Sequence, residues 1–414
     1  MRIAVIGAGV SGLVTARFLC AEHEVTVFEE QGYAGGHTRT VDVDAEGRTF
    51  PVDTGFIVYN EETYPLFTRL LAELQVATQP STMSFSARCE RTGIEYCPSN
   101  LRTLFAQRSN LLRPAFWRML SDVGRFKRAM AELIRSGDDR PTLGEFLEQG
   151  GYSRMFSDLF LVPMASAIWS AAPESADEMP ALFFARFFAN HRFLDATGQP
   201  GWRVVRGGSK EYVAPLTAPF RERIRLKTPI RSVRRHADGV EVTPRGGPPE
   251  RFDHAVLAVH SDQALAILSD PTDAEREILS SIRYQENRVV LHTDVSLLPR
   301  RRAAWAAWNY LVPPASPDRV SVTYDMNILQ TLSAPAEFLV TLNREEKIRP
   351  ETVLLRTVYH HPVFTRQAVA AQGRRKEISG VNRTWYCGAY WGNGFHEDGV
   401  RAGIEVGRAF GASW

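Results

Sequence analysis

The sequence predicts an α/β fold that begins with a parallel sheet, because three patterns follow one another at its N-terminus. Residues 3–6 form a continuous apolar run, which is typical of a strand buried on both faces. A GxGxxG pattern starts directly afterwards at Gly7 and opens a helical segment. Residues 25–28 form a second apolar strand that ends at Glu29. This order predicts a Rossmann-like unit that binds a dinucleotide.

The turn between the first strand and the first helix supplies the chemistry for that ligand. Its first glycine permits a tight turn, its second lets backbone approach a pyrophosphate, and its third lets helix and strand pack closely. The helix N-terminus offers N–H groups to the phosphates, and the acid after the second strand can accept from both ribose hydroxyls. The residues predicted here to bind the dinucleotide are Gly7, Gly9, Ser11, Gly12, Glu29 and Glu30.

Composition limits the classes of partner. The 414 residues carry a formal net charge of +2, so global charge predicts no nucleic-acid partner. Four scattered cysteines without a CxxC pattern argue against a disulfide framework and a metal site. The apolar run at the N-terminus is too short for a signal peptide, and no stretch is apolar for long enough to predict a membrane-spanning helix. We expect a cytoplasmic protein whose membrane contact would be peripheral, at the inner membrane.

The stretch EEQGYAGGHTRT distinguishes between the possible dinucleotides. It places Gly35 and Gly36 after Glu29 and continues with His37 and Thr38. This arrangement resembles the second fingerprint of the flavin amine-oxidase superfamily, which follows the FAD pyrophosphate, although His37 stands where that family usually has Arg. The next stretch, VDTGFIVYN, resembles the DxG turn that brings the family's chain toward the isoalloxazine ring.

Three later segments continue the resemblance in the family's order: VVRGGSKEYVAPL, the strand end AVLAVHS, and residues 385–407. The resemblance implies FAD as cofactor. We expect this FAD to be dissociable, because Cys387 precedes Gly388 rather than occupying the usual covalent position. The further FAD-binding residues that the resemblance implies are Gly35, Gly36, His37, Thr38, Thr54, Gly55, Phe56, Val233, Gly388, Gly394, Phe395 and His396.

Two insertions interrupt the FAD-related segments. We predict a discontinuous FAD-binding domain formed by residues 1–78, 201–265 and 378–414, and a substrate domain formed by residues 79–200 and 266–377. The first insertion has mainly helical periodicity, and the second alternates as strands do. The predicted fold class is therefore α/β, with a Rossmann-like FAD-binding domain of the glutathione-reductase/amine-oxidase type and an inserted α+β substrate domain.

The insertions also bear on the substrate. Residues 100–135 carry eight basic side chains among apolar ones, and residues 300–311 place a basic cluster beside aromatic residues. Such segments favour an anionic bilayer surface, but a solvated helix face above a core stripe has the same pattern. A third segment, at 181–194, carries the phenylalanines Phe183, Phe184, Phe187 and Phe188. They form either a core stripe or the wall of a long apolar substrate tunnel.

The resemblance is closer than the superfamily and spans essentially the whole chain. DTGFIVYNEETYPLF, YHHPVF and CGAYWGNGFHEDGVRAG, among other stretches, resemble one branch of FAD-dependent oxidoreductases. That branch is similar to the N-terminal domain of plant cyclopropane fatty acid synthases and to the bacterial flavin desaturase of furan fatty acid biosynthesis. The resemblance implies oxidation of lipid chains. The partners it implies are a lipid or fatty acyl substrate, the surface of the cytoplasmic membrane and a lipid methyltransferase.

Desaturation of an acyl chain would send a hydride to FAD and a proton to a base within hydrogen-bond reach. The closing motif is expected beside the flavin, so His396 and Glu397 are the first candidates for this base. His360 and His361 in VYHHPVF come next. A purely structural role for each of these residues is equally open.

Two other functions remain open. Many amine oxidases hold a Lys in a strand of the substrate domain, whereas the corresponding stretch QENRVVLHTD offers Asn287 or Arg288. This difference argues against amine oxidation without excluding it. The chain could also be a flavin-bound partner of a methyltransferase that has lost catalysis.

The closing stretch predicts the surroundings of the flavin ring. Tyr390 and Trp391 are expected as cavity walls, and Gly394 as the point where backbone approaches the ring. A helix expected from about Glu397 would direct its positive N-terminal end at the flavin and favour the anionic reduced form.

Overall fold

The structure is a computed structural model, and it describes residues 1–170, 172, 177–195, 200–313, 319 and 321–413. The strands in this part of the chain, labelled β1 to β20 in order, are Arg2–Ile6, Glu24–Phe28, Thr40–Ala45, Arg48–Asp53, Val58–Asn60, Thr78–Pro80, Phe85–Cys89, Glu95–Tyr96, Trp202–Val205, Ile224–Arg225, Ile230–His236, Gly239–Pro244, Glu250–Phe252, His254–Leu257, Tyr284–His292, Trp308–Val312, Val322–Asp325, Leu339–Leu342, Val353–Pro362 and Thr384–Tyr386.

The α-helices of the described residues are Val10–Leu19, Pro65–Glu73, Leu101–Leu104, Pro114–Ser136, Leu143–Gln149, Arg154–Phe156, Val162–Trp169, Ala181–Asn190, Val213–Thr217, Ser261–Ile267, Asp273–Ser280, Met326–Leu329, Arg366–Gly373 and His396–Ala409. A π-helical turn, Ser157–Leu161, lies between two of them. The 3₁₀ turns are Arg108–Leu112, Ser209–Tyr212, Ala218–Arg223, Val295–Leu297, Arg302–Ala304, Glu345–Lys347, Pro350–Thr352, Arg375–Glu377, Val381–Arg383 and Ala389–Trp391.

A five-stranded parallel sheet carries the dinucleotide turn, with the order β10-β2-β1-β14-β20. Successive side chains of a strand point to opposite faces. Along β1, Ile3 and Val5 accordingly pack with the first helix, whereas Ala4 and Ile6 pack toward the small sheet β11-β12-β13. The predicted strand, buried on both faces, is confirmed, and the α/β fold class with it.

A seven-stranded mixed sheet lies across a cavity from the parallel one, in the order β19-β15-β18-β17-β16-β7-β8. β16 and β7 run parallel, and the other neighbouring strands run antiparallel. Helices Pro114–Ser136 and Ala181–Asn190 share the large core of this sheet through Phe116, Phe126 and Phe184. β7 and β8 belong to the first insertion and the other five strands to the second, so both insertions build one sheet.

Two helices from the second insertion pack on the parallel-sheet side. Asp273–Ser280 and Arg366–Gly373 place Ile278 and Ala368 in the core that also holds Ala4. Neither helix lies in the three segments predicted to form the FAD-binding domain. The parallel-sheet side therefore contains more of the chain than its glycine-rich segments suggest.

The first helix, Val10–Leu19, and the last helix, His396–Ala409, lie side by side and run in the same direction. Gly399 and Gly403 are four residues apart and face the first helix. A Cβ on Gly403 would lie 2.8 Å from the carbonyl oxygen of Ser11, so the helices can approach closely only without it. Both N-termini consequently open on one cavity and bring the positive ends of two helix dipoles there.

None of the described helices combines the length and the apolar character that crossing a bilayer requires.

Candidate active site

A large cavity lies between the carboxyl ends of the parallel strands and the seven-stranded sheet. Its volume is about 1280 Å³, compared with roughly 300–1,000 Å³ for common small-molecule sites. Open α/β sheets bind their ligands at this edge. The residues of its wall that the sequence predicted to bind the cofactor are Gly7, Gly9, Ser11, Glu29, Glu30, Gly35, Gly36, His37, Gly55, Phe56, Gly388, Gly394, Phe395 and His396.

Glu29 closes the turn at one end of the cavity. Its Oε2 accepts a hydrogen bond from the Ala8 N–H at 2.8 Å, and its Oε1 accepts one from the Gln31 N–H at 2.8 Å. Burial raises the pKa of this carboxyl group. Each carboxylate oxygen has a second lone pair, which leaves Glu29 able to accept from ribose hydroxyls on the cavity side, as predicted.

The next part of the wall suits a pyrophosphate. No acidic residue lies in the first turn of helix Val10–Leu19, and no side chain caps it. Its first N–H groups are therefore available to an anion. A Cβ on Gly9 would meet no atom within 4 Å and would project into the cavity. Glycine at this position leaves the space that a phosphate would occupy.

Val233, predicted to contact adenine, lies away from the cavity. It is fully buried in the core beside the parallel sheet and pairs with Val242 in the small sheet. Ile230, at the start of the same strand, lines the cavity together with Thr228 and Pro229. A register shift separates Ile230 from the residues that follow, and the sequence pattern did not reveal it. The prediction for Val233 is therefore wrong, and Ile230 takes its place on the wall.

Gly12 and Thr54 lie behind the wall rather than on it. A Cβ on Gly12 would lie 2.0 Å from the Gly7 carbonyl oxygen, so this glycine lets the first helix approach the turn. The Thr54 hydroxyl bonds with the Tyr359 hydroxyl at 2.9 Å and connects its loop to β19. Both residues position the backbone that lines the cavity and do not form its surface.

Asp53 connects three loops beneath the cavity. Its Oδ1 accepts from the Thr40 hydroxyl at 2.6 Å and from the N–H and hydroxyl of Ser209, both at 2.8 Å. Its Oδ2 accepts from the Gln330 side-chain amide at 3.2 Å. Burial raises the pKa of Asp53 to about 6. Because Gln330 belongs to the second insertion, this carboxyl group joins the cofactor loops to the substrate side.

Four histidines of the cavity wall, here called the histidine cluster, are His37, His260, His360 and His361. The His37 ring lies 5.4 Å from the His361 ring and 6.4 Å from the His260 ring. Burial lowers the pKa of His37 to about 4 and that of His260 to about 3, so both are neutral at pH 7. Among the described residues, no group of three or more His, Cys, Asp or Glu is placed to hold a metal ion.

His37 has a nitrogen that lacks a partner. Its Nε2 is buried and forms no hydrogen bond within the described chain, while its ring stacks on Tyr359 with the centroids 4.9 Å apart. Buried polar atoms in native proteins nearly always have a partner. An unpaired nitrogen on the wall, next to the pyrophosphate cradle, fits a cofactor that supplies one. The residue that stands where the family usually has Arg therefore offers an unpaired ring nitrogen at the cavity wall.

Asn287 fixes the orientation of His361. Its Nδ2 donates to the Ser170 carbonyl oxygen and lies 2.9 Å from His361 Nδ1, while its Oδ1 accepts from Asn343 at 2.7 Å. With both amide hydrogens and the oxygen engaged, the His361 Nδ1 must accept. Burial lowers the pKa of His361 well below its ordinary value, so the neutral ring carries its hydrogen on Nε2. His361 is thereby a hydrogen-bond donor at the cavity.

His396 is held by groups behind the wall. Its Nε2 lies 3.1 Å from the Thr38 hydroxyl and 3.0 Å from the Tyr212 hydroxyl, and these hydroxyls also bond with each other. The ring stacks on Phe56 with the centroids 3.5 Å apart. Burial holds the pKa of His396 well below its ordinary value. Thr38 lies off the wall and supports His396, and the geometry favours a bracing role for His396 over that of a base.

Glu397, the second candidate base, points into the protein. Its Oε2 accepts from the backbone N–H groups of Leu66 and Phe67 at 3.1 and 3.0 Å. It thereby caps helix Pro65–Glu73, whose own N-cap side chain forms no capping hydrogen bond. Arg401 lies 3.5 Å from its other oxygen. Glu397 is absent from the cavity wall formed by the described residues, so a base role for it is wrong in this geometry.

The closing turn matches its prediction in part. Tyr390 lines the cavity, whereas Trp391 lies off the wall beneath the Arg375 guanidinium, 5.6 Å from the ring centroid. Gly394 has a φ of +91°, which favours glycine. Cys387 is fully buried, with its Sγ 3.5 Å from the Thr15 hydroxyl, and also lies off the wall.

Beyond the histidine cluster, the cavity continues into a region here called the aromatic arm, formed by Met164, Ile168, Trp169, Phe187, Trp308 and Phe395. The Phe187 ring lies 4.7 Å from Trp169 and 5.2 Å from Phe395. The Trp169 Nε1 donates to the Asn393 carbonyl oxygen at 3.1 Å. This bond satisfies the indole and leaves an apolar surface toward the cavity.

The phenylalanine stripe serves both purposes that its sequence left open. Phe187 lines the cavity, whereas Phe184 and Phe188 are buried in the core and stack on each other at 4.1 Å. Phe183 stacks on Phe364, itself a wall residue, at 5.2 Å.

Many amine oxidases have a Lys in the strand that corresponds to β15. The two residues that this chain offers there, Asn287 and Arg288, do not reach the cavity. Asn287 is fully buried behind His361, and Arg288 forms exposed ion pairs with Glu286 and Glu345. The charged residues on the wall formed by the described chain are Glu29, Glu30, Arg39 and Arg245. None of these four belongs to the aromatic arm.

Several wall residues were missed by sequence reasoning, among them His260, Trp169, Tyr359 and Ile230. For His260 a signal was present: it is the histidine of AVLAVHS and follows the apolar strand at the carboxyl edge where ligands bind. Trp169 lies in an apolar run that is also typical of a core.

Comparison with known proteins agrees with this geometry. The family model for flavin containing amine oxidoreductases matches residues 10–328. Cyclohexylamine oxidase from Brevibacterium oxydans IH-35A has a similar fold, with a TM-score of 0.71 and 18% identity over 99% of this chain and 98% of that chain. A CLA-producing fatty acid isomerase from P. acnes gives a TM-score of 0.70 with 16% identity over 99% and 98%.

A putative protoporphyrinogen oxidase from Exiguobacterium sp. 255-15 gives a TM-score of 0.69 with 16% identity over 99% and 98%. At these identities the likeness concerns the fold alone. None of the curated proteins compared matches the chain. The family match spans more than half of the chain, and its glycine cradle, Glu29 and His37 fit FAD. The chain is a flavin-dependent oxidoreductase that uses FAD and belongs to the flavin-containing amine oxidoreductase family.

Proposed function

We propose that this oxidoreductase removes a hydride and a proton from a long apolar substrate, and that this substrate is an acyl chain of a membrane phospholipid. The favoured chain carries a double bond and a methyl branch, and its product is a conjugated diene. The resemblance to the branch of cyclopropane fatty acid synthase-associated and furan fatty acid flavoproteins supports this choice of substrate.

The aromatic arm is the observation that carries the proposal. It is walled by apolar and aromatic side chains, and the charged residues of the wall all lie elsewhere. A cationic or acidic substrate group placed there would lose its hydration without gaining an opposite charge. A hydrocarbon chain would instead be stabilised by the burial of its own surface.

The reaction begins at a C–H bond next to a double bond, because the cation left by hydride loss is then delocalised. Bound FAD supplies the hydride acceptor. Loss of a proton from the adjacent carbon leaves the second double bond, and the two electrons pass on to dioxygen or to a carrier. The aromatic walls exclude water and hold the chain near the histidine cluster.

His360 is the candidate proton acceptor that the geometry leaves. His396 is engaged by two hydroxyls, Glu397 caps a helix, and the Nδ1 of His361 accepts from Asn287. His360 lines the cavity and is exposed, and it takes no part in the contacts that engage the other three candidates. We assign His361 Nε2–H the role of a donor that orients a polar group at this end of the cavity.

Amine oxidation is the second candidate function. The Trp169, Phe187 and Phe395 rings form a group that could attract an alkylammonium ion through their faces. A structure of similar fold is that of a cyclohexylamine oxidase. A flavin-bound, non-catalytic partner of a lipid methyltransferase is the third.

Anaerobic titration of the FAD-loaded protein separates the three functions. Bleaching of the oxidised-flavin absorbance by a detergent-dispersed phospholipid with a methylated, unsaturated chain, together with a conjugated diene in the extracted lipid, supports the proposal. Bleaching by alkylamines alone contradicts it and favours amine oxidation. Bleaching by neither favours the non-catalytic partner.

The base is tested with His360→Gln. His360→Gln should slow flavin reduction by about 10²–10⁴-fold with FAD still bound. Reduction at the normal rate would contradict the assignment of His360.

A further inference from the structure

The surface segment at residues 98–121, here called the docking segment, is rich in exposed apolar side chains. The described chain has ten strongly exposed large apolar residues, and four of them lie here: Leu101, Leu111, Leu112 and Trp117. Leu112 is 87% exposed and Leu101 is 75% exposed. Such a concentration on one surface marks an interaction site more often than chance exposure does.

These side chains form one patch. The Trp117 Nε1 donates to the Leu111 carbonyl oxygen at 2.9 Å, which fixes the indole beside the 3₁₀ turn Arg108–Leu112. The Trp117 ring lies 5.5 Å from Phe105, the residue that ends helix Leu101–Leu104. Trp117 therefore connects the residue that ends the short helix, the 3₁₀ turn and the start of the long helix.

The charge of the patch has one sign. The docking segment contains four arginines, Arg102, Arg108, Arg113 and Arg118, and no acidic residue. In the part of the chain that the structure describes, none of the four forms an ion pair. The 3₁₀ turn Arg302–Ala304 packs against helix Leu101–Leu104 and adds Arg302, whose exposed guanidinium lies 5.2 Å above Trp305 and 3.6 Å from a carboxylate oxygen of Glu337. Arginine beside exposed leucine and tryptophan matches an anionic headgroup layer over hydrocarbon.

The cavity reaches the surface at the edge of this patch. Pro98 and Ser99 are both exposed and line the cavity, and the patch begins two residues later at Leu101. Phe85 and Trp308 continue the wall inward from this point toward the aromatic arm. An acyl chain that left a bilayer beneath the patch could enter the cavity without crossing water.

We propose that the docking segment binds the surface of an anionic phospholipid bilayer and places the cavity mouth at Pro98 and Ser99 against it. The leucines and Trp117 enter the boundary between headgroups and acyl chains, and the arginines bind lipid phosphates. The inference rests on the proposed function for its purpose, since the bilayer then supplies the substrate. Its physical basis, the patch and its charge, does not depend on catalysis.

The test is sedimentation of the FAD-loaded protein with vesicles of phosphatidylcholine alone, or of equal parts phosphatidylcholine and phosphatidylglycerol. Binding should require phosphatidylglycerol and weaken with salt. Leu111→Ser with Leu112→Ser should lower affinity by about a hundredfold, since each leucine buries a side chain's apolar area. Arg102→Gln and Arg108→Gln should each lower affinity about fivefold.

The control is Leu354→Ser, which changes a leucine of similar exposure to Leu111 on the edge strand β19. It should leave binding unchanged. Vesicles with brominated acyl chains should quench part of the tryptophan emission, and Trp117→Phe should abolish that part. An unchanged ratio of FAD to protein shows that each variant is folded.

Two outcomes would overturn the proposal: no binding to phosphatidylglycerol vesicles at low salt, or equal loss of binding in Leu354→Ser. Vesicle binding without lipid oxidation would refute the proposed function and support the docking surface. Oxidation of detergent-dispersed lipid without vesicle binding would refute the docking surface and leave the proposed function intact.

Discussion

The two ends of the cavity differ in what forms their walls: backbone groups at one end and side chains at the other. At the dinucleotide end, the backbone forms most of the binding surface. Glycines leave space for the ligand, and the N–H groups at the start of the first helix face it. At the aromatic arm, side chains from distant segments form the wall, and the backbone serves only to carry them. A backbone requirement leaves a motif in the sequence, whereas a wall of side chains from scattered segments leaves none.

The largest expected effect comes from breaking the backbone fit at the dinucleotide end. Gly12→Ala places a methyl group 2.0 Å from the Gly7 carbonyl oxygen. We expect loss of bound FAD and a decrease of about 2–3 kcal/mol in the free energy of unfolding of the apoprotein. The ratio of flavin to protein absorbance and urea unfolding measure the two effects.

Gly9→Ala is the matched control for this prediction. Its added methyl group meets only the open cavity, so the apoprotein should keep its stability within about 0.5 kcal/mol. FAD affinity should nevertheless fall about tenfold or more, a loss of at least about 1.4 kcal/mol. A Gly9→Ala apoprotein as unstable as Gly12→Ala would show that the cradle is a structural turn and not a ligand site.

The second prediction concerns the border between the two ends. His396→Ala removes the ring stacked on Phe56 and the Nε2 that forms hydrogen bonds with the hydroxyls of Thr38 and Tyr212, while the bond between these two hydroxyls can remain. The free energy of unfolding should fall by about 1–3 kcal/mol. Substrate reduction of the flavin should slow by less than about tenfold, because a lost base would cost about 10²–10⁴-fold. The rate of flavin reduction in the FAD-loaded variant, measured by stopped flow, distinguishes a bracing role of His396 from that of a base.

A smaller effect is expected from Glu397→Gln. The amide keeps the shape of the side chain but removes the negative charge that caps helix Pro65–Glu73. We expect a loss of about 1 kcal/mol in the free energy of unfolding, with FAD affinity and flavin reduction unchanged. Slower flavin reduction at normal stability would restore Glu397 as a candidate base.

The smallest effect near neutrality is the pH dependence of the histidine cluster. The pKa of His37 is lowered from 6.5 to about 4 and that of His260 from 6.5 to about 3 by burial. Between those values the unfolded chain binds more protons than the folded one, so stability rises with pH. The stabilisation is complete above pH 6.5 and is lost as pH falls toward 4 and 3.

Thermal melting of the apoprotein across this range measures the effect. The melting temperature should be flat above neutrality and decline below pH 6.5. His37→Gln combined with His260→Gln should make the acid limb less steep, and the remaining slope is expected from His361 and His396, whose pKa values burial also lowers. An acid limb that is unchanged in the double variant would show that other groups are responsible.

Sequence reasoning reached the fold and the dinucleotide end because Gly7, Gly9 and Glu29 each satisfy a local requirement at a fixed spacing. It misplaced Val233, which is fully buried in the core beside the parallel sheet and does not line the cavity. It also could not show that Glu397 caps a helix and does not act as a base. The N–H groups that donate to Glu397 belong to residues 66 and 67, which are far from it in sequence. The sequence around Trp169 and Phe187 is equally typical of a core, because the wall of an apolar cavity and an apolar core contain the same types of residue.

The contact between Glu397 and helix Pro65–Glu73 has a consequence for biosynthesis. It joins residues 331 positions apart in sequence, and the last helix also completes the packing of the first. Contacts of such long range form late, because most of the chain must be synthesised before they can close. A nascent chain still lacking residues 396–409 therefore has the FAD fingerprint but not the assembled pocket. We expect flavin loading to follow the synthesis of residues 396–409.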